Sequence, residues 1–107
     1  NYLNFFKKNN LKTFFSQKNT DIIQWFYFYL AKTEQKAIKT INYMKKNKIN
    51  LAKFWRPLHM QPCMRGTIIK NQKNTNEIWN KIIILPSSNN LSSKEIKYIK
   101  EKLSDIN

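Results

Sequence analysis

The longest apolar segment of the chain is Ile22–Ala31, "IIQWFYFYLA". Its β-branched and aromatic residues predict a strand, since the run is too short for a long helix. Apolar residues fall on both faces of that strand, so both faces should be covered, and we expect the second cover to lie outside this sequence. Another buried strand is predicted at Ile82–Leu85, where Pro86 would end the pairing. Weaker strand candidates are Leu11–Ser16 and Ile49–Trp55.

Helices are predicted where apolar positions recur at spacings of three and four. In Glu34–Asn47 such positions share one face, and Thr33 is placed to cap the first turn. The apolar residues of this face are Ala37, Ile38, Ile41 and Met44. Ser92 and Glu95 form a capping box that opens a final helix. The inward positions of that helix are Ile96, Ile99, Leu103 and Ile106.

Two further helical segments carry a weaker pattern. Asn1–Asn10 resembles the end of a helix that runs into a polar turn. Asn74 or Thr75 could cap a short helix that continues to about Lys81. The residues expected to turn inward there are Ile78 and Trp79. With room for one small domain in 107 residues, the elements predict an α+β fold, a small antiparallel sheet with helices packed against it.

The composition is strongly basic, with a formal net charge of +14. A charge of this size is typical of chains that meet nucleic acid or an anionic membrane surface. Nearly all of it comes from lysine spread along an Asn- and Ile-rich chain, whereas nucleic-acid binders usually rely on arginine, which appears only at Arg56 and Arg65. A coding bias therefore explains the charge better than a nucleic-acid role does.

The termini and the cysteine content bear on the cellular compartment. The chain starts at Asn1 without a charged-then-apolar leader, and the apolar run at Ile22–Ala31 is far too short to cross a bilayer. The single Cys63 excludes an internal disulfide and a Cys-based zinc site. These features predict a cytoplasmic protein without a membrane partner, and the missing initial Met suggests a fragment.

The rarest residue types of the chain cluster in Phe54–Gly66, "FWRPLHMQPCMRG". This stretch holds the only His, the only Cys, the only Gly and both Arg residues. Pro57 and Pro62 push the residues before them toward extended geometry, which predicts a stiff loop and not a helix. Such a cluster could be a metal site, a nucleophile, a nucleic-acid contact loop or one part of a larger active site.

Several of these alternatives are weak on the residues alone. His59 has no second ligand of the usual type nearby, which argues against a metal. A nucleophilic pair of Cys63 with His59 needs side chains that face each other, and Cys63 is more simply a small apolar filler. The aromatic run Trp25–Tyr29 could stack bases, but core packing is favoured because no glycines accompany it. No lysine has the desolvated setting of a Schiff-base lysine.

The order of these segments resembles that of the C-terminal domain of DegT/DnrJ/StrS-type aminotransferases. The resemblance rests on the strand "QWFYFYLA", the helix ending in "NKIN", the string "FWRPLHMQPCM", "LPSS" at Leu85–Ser88 and the capped helix "LSSKEIKYIKEKL". It is best from Ile22 to Leu103. Members of the family usually carry Arg-Pro before the tryptophan, where this chain has "LAKFW".

The resemblance implies the small domain of a fold-type I enzyme that uses pyridoxal 5'-phosphate. Such enzymes aminate a keto group of a nucleotide-linked sugar by ping-pong transamination, with glutamate as the expected amino donor and a homodimer as the expected assembly. Residues 1–10 would end the inter-domain helix, and residues 11–107 would form the small domain. The large domain with the cofactor-binding lysine would be absent, so this chain alone should be inactive.

The same resemblance places the proline-braced segment at the mouth of the active site. His59 is the implied substrate contact, through a sugar hydroxyl or a water, and Arg56 would meet the anionic diphosphate or a loop carboxylate. Trp55 and Met60 would wall the pocket, and Gln61 would support it. No residue here is expected to be catalytic or to bind a metal. The rival interpretations are a small basic nucleic-acid-binding module and a stand-alone interaction domain.

Overall fold

A computed structural model of the chain describes residues 2–14, 19–20, 23–64, 66 and 70–106. Within these ranges the helices are α1 (Tyr2–Lys8), α2 (Glu34–Lys46), α3 (Lys73–Ile78) and α4 (Ser93–Ser104). The strands are β1 (Tyr27–Leu30), β2 (Ala52–Lys53) and β3 (Ile82–Leu85). Single 3-10 turns lie at Leu58–Met60, Pro62–Met64 and Trp79–Lys81. The predicted α+β class is confirmed.

β3 is the central strand of an antiparallel sheet in the order β1-β3-β2. Its Ile83 faces Tyr29 of β1, and its Ile84 faces both Phe28 and Ala52. Both edges of β3 are paired, and Ile82, Ile83 and Leu85 are buried. The predicted buried strand at Ile82–Leu85 is therefore confirmed.

β1 is much shorter than the predicted strand Ile22–Ala31. Residues 23–26 form no ladder, Ile23 is 98% exposed, and Ile22 lies outside the described residues. The reason lies in the partner strand, since Tyr27 pairs with Leu85 and Pro86 follows. Proline has no backbone N–H to donate, so the ladder stops there whatever the β propensity of the other strand.

The strand predicted at Leu11–Ser16 is wrong for Leu11–Phe14, while its last two residues lie outside the described ranges. Among the described contacts, one backbone bond joins this segment to β1, from the Leu30 N–H to the Lys12 carbonyl oxygen at 2.9 Å. The Thr13 hydroxyl donates to the Phe28 carbonyl oxygen. The Thr13 side chain therefore occupies a carbonyl oxygen of β1 that a neighbouring strand would have used. Threonine side chains commonly compete with regular backbone pairing in this way.

The core lies between one face of the sheet and helices α1, α2 and α4. Its fully buried side chains include Phe6, Met44, Ile83, Leu85 and Leu103. The predicted inward face of α2 is wrong at Ile38, which is 42% exposed, while Thr40 is buried. Ala37, Thr40 and Met44 recur at three and four residues, and that stripe decides which side of the helix meets the sheet.

Helix α3 begins earlier than its predicted caps. Gln72 stands at the N-cap position without a side-chain hydrogen bond, so Asn74 and Thr75 lie inside the helix. The segment does continue to Lys81 through a 3-10 turn, as the sequence indicates. Ile78 and Trp79 are half-buried. No helix in the described ranges is both long and apolar enough to span a bilayer.

The N-terminal caps of α2 and α4 are confirmed. The Lys36 N–H donates to the Thr33 hydroxyl oxygen at 3.1 Å. At α4 the Glu95 N–H donates to the Ser92 hydroxyl oxygen at 3.2 Å, and the Ser92 N–H donates to the Glu95 carboxylate at 2.8 Å. These reciprocal bonds satisfy two N–H groups that have no partner inside the helix.

Replacing Ser92 by alanine should lower the free energy of unfolding by about 1 kcal/mol, because the cap hydrogen bond is lost. Hydrogen bonds from Ser92 lower the pKa of Glu95. The stabilisation from the ionised carboxylate is therefore present at neutral pH and is lost as the pH falls through that lowered pKa. Urea unfolding at pH 7 measures the change. Ser93→Ala, one residue inside the helix, is the control, and an equal cost for both variants would contradict the cap assignment.

Candidate functional site

The candidate site is the segment Phe54–Met64, which follows strand β2. The Phe54 N–H donates to the Ile82 carbonyl oxygen at 3.2 Å, so the segment starts anchored to the sheet. Beyond Phe54 the backbone leaves the sheet, and Pro57 adopts φ −51° as the residue before the first 3-10 turn. The segment is a stiff loop, as the two prolines predict, although it contains two single 3-10 turns that the sequence did not indicate.

His59 sits on the first of these turns and is half-buried. Its Nε2 lies 2.8 Å from Oδ1 of Asn76 on α3. Asn76 was not singled out on the sequence, because asparagine is abundant in this chain and nothing in the local pattern distinguishes this one. The structure thus joins the histidine to a helix that lies 17 residues further along the chain.

The turn that carries His59 is held by its own backbone and by Gln61. The Met60 N–H donates to the Pro57 carbonyl oxygen at 2.9 Å, and the Gln61 N–H donates to that of Leu58 at 3.0 Å. The Gln61 side-chain Nε2 donates to the Arg56 carbonyl oxygen at 3.2 Å. Gln61 therefore braces the loop across five residues, and Met60 beside it is half-buried.

Arg56 is exposed, and among the described carboxylates none forms an ion pair with it. The ion pairs that occur in the described ranges are Lys53–Glu34, Lys97–Glu101 and Lys102–Asp105. Of the two roles predicted for Arg56, the contact with a loop carboxylate has no described partner. The guanidinium fork faces solvent with its donors open to an anion.

Trp55 belongs to a cluster on the sheet face that points away from the helices. We name this cluster the aromatic face, and its members are Phe14, Trp25, Phe26, Phe28, Phe54 and Trp55. The ring centroids of Trp25 and Phe26 are 4.5 Å apart, and those of Phe26 and Trp55 are 5.7 Å apart. Successive side chains of a strand point to opposite faces, so Phe28 joins this cluster while Tyr29 enters the core.

The aromatic face is incompletely covered in the described ranges. Trp25 is 71% exposed and Trp55 is 57% exposed. Core packing was predicted for the whole run Trp25–Tyr29, and it is wrong for Trp25. Helices α1, α2 and α4 pack on one side of the sheet, and no second described layer covers the other. The expectation that the strand lacks one of its two covers is consistent with this exposure.

Cys63 is an exposed free thiol, so its predicted role as a small apolar filler is wrong. It follows Pro62 in the second 3-10 turn, Pro62–Met64, none of whose residues is buried. The Nε2 of His59 is engaged by Asn76, and no bond between Cys63 and His59 occurs among the described contacts. The structure therefore does not bring these two side chains together as a nucleophile and a base. Arg65 lies outside the described residues.

A hydrogen-bonded group of ionisable side chains lies outside this segment, at the end of α4. There the Tyr43 hydroxyl and the Lys102 ammonium each donate to the Asp105 carboxylate at 3.0 Å. These hydrogen bonds, from Lys102 first and then from Tyr43, lower the pKa of Asp105. Because the groups join α2 to α4, their role is to hold the helical layer together, away from the candidate site.

A comparison with protein families tests the resemblance found on the sequence. The chain matches the family model described as the DegT/DnrJ/EryC1/StrS aminotransferase family over residues 2–104. No curated protein matches the chain. The matched range runs from α1 to the end of α4 and includes the loop that carries His59. The chain therefore belongs to the DegT/DnrJ/EryC1/StrS aminotransferase family.

Proposed function

We propose that this chain forms one wall of the substrate site of an aminotransferase that aminates a keto group of a nucleotide-linked sugar. The observation that carries the proposal is the braced loop, on which a histidine fixed by Asn76 lies three residues from an arginine without a described acidic partner. A sugar diphosphate needs a cation for its phosphates and hydrogen-bonding groups for its hydroxyls. A cation and a hydrogen-bonding group both lie on this segment, which two prolines stiffen.

Each residue of the loop has a role that follows from its contacts. Arg56 binds the diphosphate, since a guanidinium matches phosphate oxygens in a two-point geometry. His59 binds a hydroxyl of the sugar ring. The indole of Trp55 covers an apolar ring face and excludes water, Met60 fills the wall beneath it, and Gln61 holds the loop through the Arg56 carbonyl oxygen.

The family resemblance implies pyridoxal 5'-phosphate, which supplies an electron sink when it is bound. Holding this cofactor covalently takes a lysine that is removed from water. The described lysines do not fit, because every one of them is exposed or half-buried. None of the described lysines of this chain therefore holds the cofactor in this proposal. Its lysine and its phosphate-binding groups belong, in this proposal, to another lobe of the enzyme, in a homodimer that uses glutamate as amino donor.

Binding of a uridine diphosphate hexose to the chain tests the proposal. Backbone NMR shifts should concentrate on residues 55–61, and Arg56→Ala should weaken binding about tenfold because charge-assisted hydrogen bonds are lost. Lys45→Ala is the matched control, since it removes the same charge from the exposed end of α2. An equal loss in both variants would mean that the ligand responds only to net charge, and the proposal would fail.

The nucleic-acid alternative is supported by the exposed Trp25 beside the net charge of +14. Exposed aromatic rings can stack bases, and such binding falls steeply as salt rises. A single-stranded oligonucleotide titrated under the same conditions separates the two functions. Shifts on the aromatic face with a steep salt slope, and no response to the sugar nucleotide, would favour the nucleic-acid module over the aminotransferase wall.

A further inference from the structure

The contact between His59 and Asn76 fixes more than the position of the ring. The amide Oδ1 carries lone pairs and no proton, so the 2.8 Å contact is a hydrogen bond only if Nε2 of His59 carries the proton. A neutral imidazole has one protonated and one unprotonated nitrogen. Nδ1 is then the unprotonated nitrogen, and it is a hydrogen-bond acceptor.

Both partners of this contact stand on backbone that is itself hydrogen-bonded. His59 lies in the turn closed by the Met60 N–H and the Pro57 carbonyl oxygen. The Asn76 N–H donates to the Gln72 carbonyl oxygen at 2.9 Å, which fixes Asn76 in the first turn of α3. The backbone on both sides of the contact is therefore already ordered, so the bond costs less backbone entropy than a contact between two mobile loops would.

Nδ1 has no hydrogen-bond partner in the part of the chain that the structure describes. The recorded bond of the ring is the one from Nε2, and the ring is half-buried, not enclosed. An unprotonated Nδ1 accepts a hydrogen bond from a hydroxyl or an amine and makes none with a phosphate oxygen, because both atoms carry only lone pairs. The tautomer thus decides which group of a substrate can sit at this position.

We propose that Asn76 is a positioning residue that holds His59 in the Nε2-protonated tautomer, so that Nδ1 accepts a hydrogen bond from a substrate hydroxyl. The inference rests on the proposed function, which supplies its ligand, a sugar ring. It adds the direction of the hydrogen bond, which the sugar hydroxyl donates and Nδ1 accepts. Arg56 on the same loop attracts the anionic end of the substrate, and His59 selects the neutral hydroxyl end. The loop therefore selects the orientation of a bound sugar diphosphate as well as its charge.

The tautomer can be measured directly, because His59 is the only histidine of the chain. Two-bond proton–nitrogen NMR correlations of the ring, recorded at a pH where it is neutral, give the ratio of the two tautomers. We expect Asn76→Leu to reduce the excess of the Nε2-protonated form about fivefold, since one hydrogen bond is lost. Asn76→Asp keeps an acceptor oxygen at the same place and should restore the wild-type ratio.

Asn74→Leu is the matched control, because it changes the same residue type on the same helix at a position with no described hydrogen bond to the ring. Circular dichroism of all variants separates loss of the tautomer bias from loss of the fold. A ratio that is equal in the wild type and in Asn76→Leu overturns the inference, and so does a wild-type ring protonated mainly at Nδ1. The rescue by Asn76→Asp distinguishes a hydrogen-bonding role from mere packing.

Adding the uridine diphosphate hexose separates this inference from the proposed function. A change of the Nδ1 resonance in the wild type, absent in Asn76→Leu, supports both. If the tautomer bias depends on Asn76 but Nδ1 does not respond to the sugar nucleotide, the substrate role of His59 is overturned while the positioning of its ring by Asn76 stands. If Nδ1 responds and the ratio is insensitive to Asn76, the positioning role is overturned and the substrate role stands.

Discussion

Replacing Leu103 by alanine is expected to lower the free energy of unfolding by about 2–5 kcal/mol. Leu103 is fully buried on α4 and belongs to the core cluster of described residues that joins the helices to the sheet. The lost burial and the cavity left behind both contribute to a cost of this size. A small domain has about 5–15 kcal/mol of stability in total, so the variant should be close to unfolding at room temperature.

Leu58→Ala provides the matched control, since the same atoms are removed from a side chain that is 60% exposed. Its cost should stay within about 0.5 kcal/mol, as is usual for surface substitutions. Urea unfolding followed by circular dichroism measures both variants. Similar costs at the two positions would contradict the placement of the core between α4 and the sheet. Replacing Leu103 changes the helix propensity of α4 little, because leucine and alanine are each good helix formers.

Replacing Trp25 and Trp55 together by glutamine should greatly reduce self-association of the isolated chain. The two indoles are the most exposed rings of the aromatic face, and they lie beside each other with centroids 6.3 Å apart. Contiguous exposed apolar surface of this kind drives association between copies, since water is released when the rings are covered. We expect the wild type to grow in apparent mass with concentration and the double variant to remain monomeric over the same range.

Sedimentation velocity at several concentrations and at moderate salt measures this difference. Tyr98→Gln is the control, because Tyr98 is also exposed but lies on α4, in the helical layer. Its effect on association should be small. Association that persists in the tryptophan variant, or that is equally reduced by Tyr98→Gln, would show that the aromatic face is not the surface through which copies meet.

The sequence was sufficient to locate the candidate site, but it did not reveal which residues contact each other there. The concentration of rare residue types in Phe54–Gly66 marks the loop, and the family pattern selects His59 within it. The partner of His59 could not be found in this way, because Asn76 is a common residue type of this chain and meets the ring only through the packing of α3. Contacts between distant segments leave no periodicity in a single sequence.

Local chemistry is what the amino-acid sequence determined by itself. The cap at Thr33, the capping box of Ser92 with Glu95 and the buried strand that ends before Pro86 each depend on residues a few positions apart. Interactions of such short range are encoded wherever the chain lies. The match over residues 2–104 shows that the family, too, is readable from the sequence.

Only the tertiary structure decided which apolar residues are covered. The run Ile22–Ala31 is apolar at nearly every position, yet pairing with a four-residue strand limits the ladder to Tyr27–Leu30, and Trp25 stays exposed. On α2 the stripe of Ala37, Thr40 and Met44 meets the sheet in place of Ile38. The physical reason is that burial depends on the length and position of a partner element, which long-range packing sets and local propensity does not.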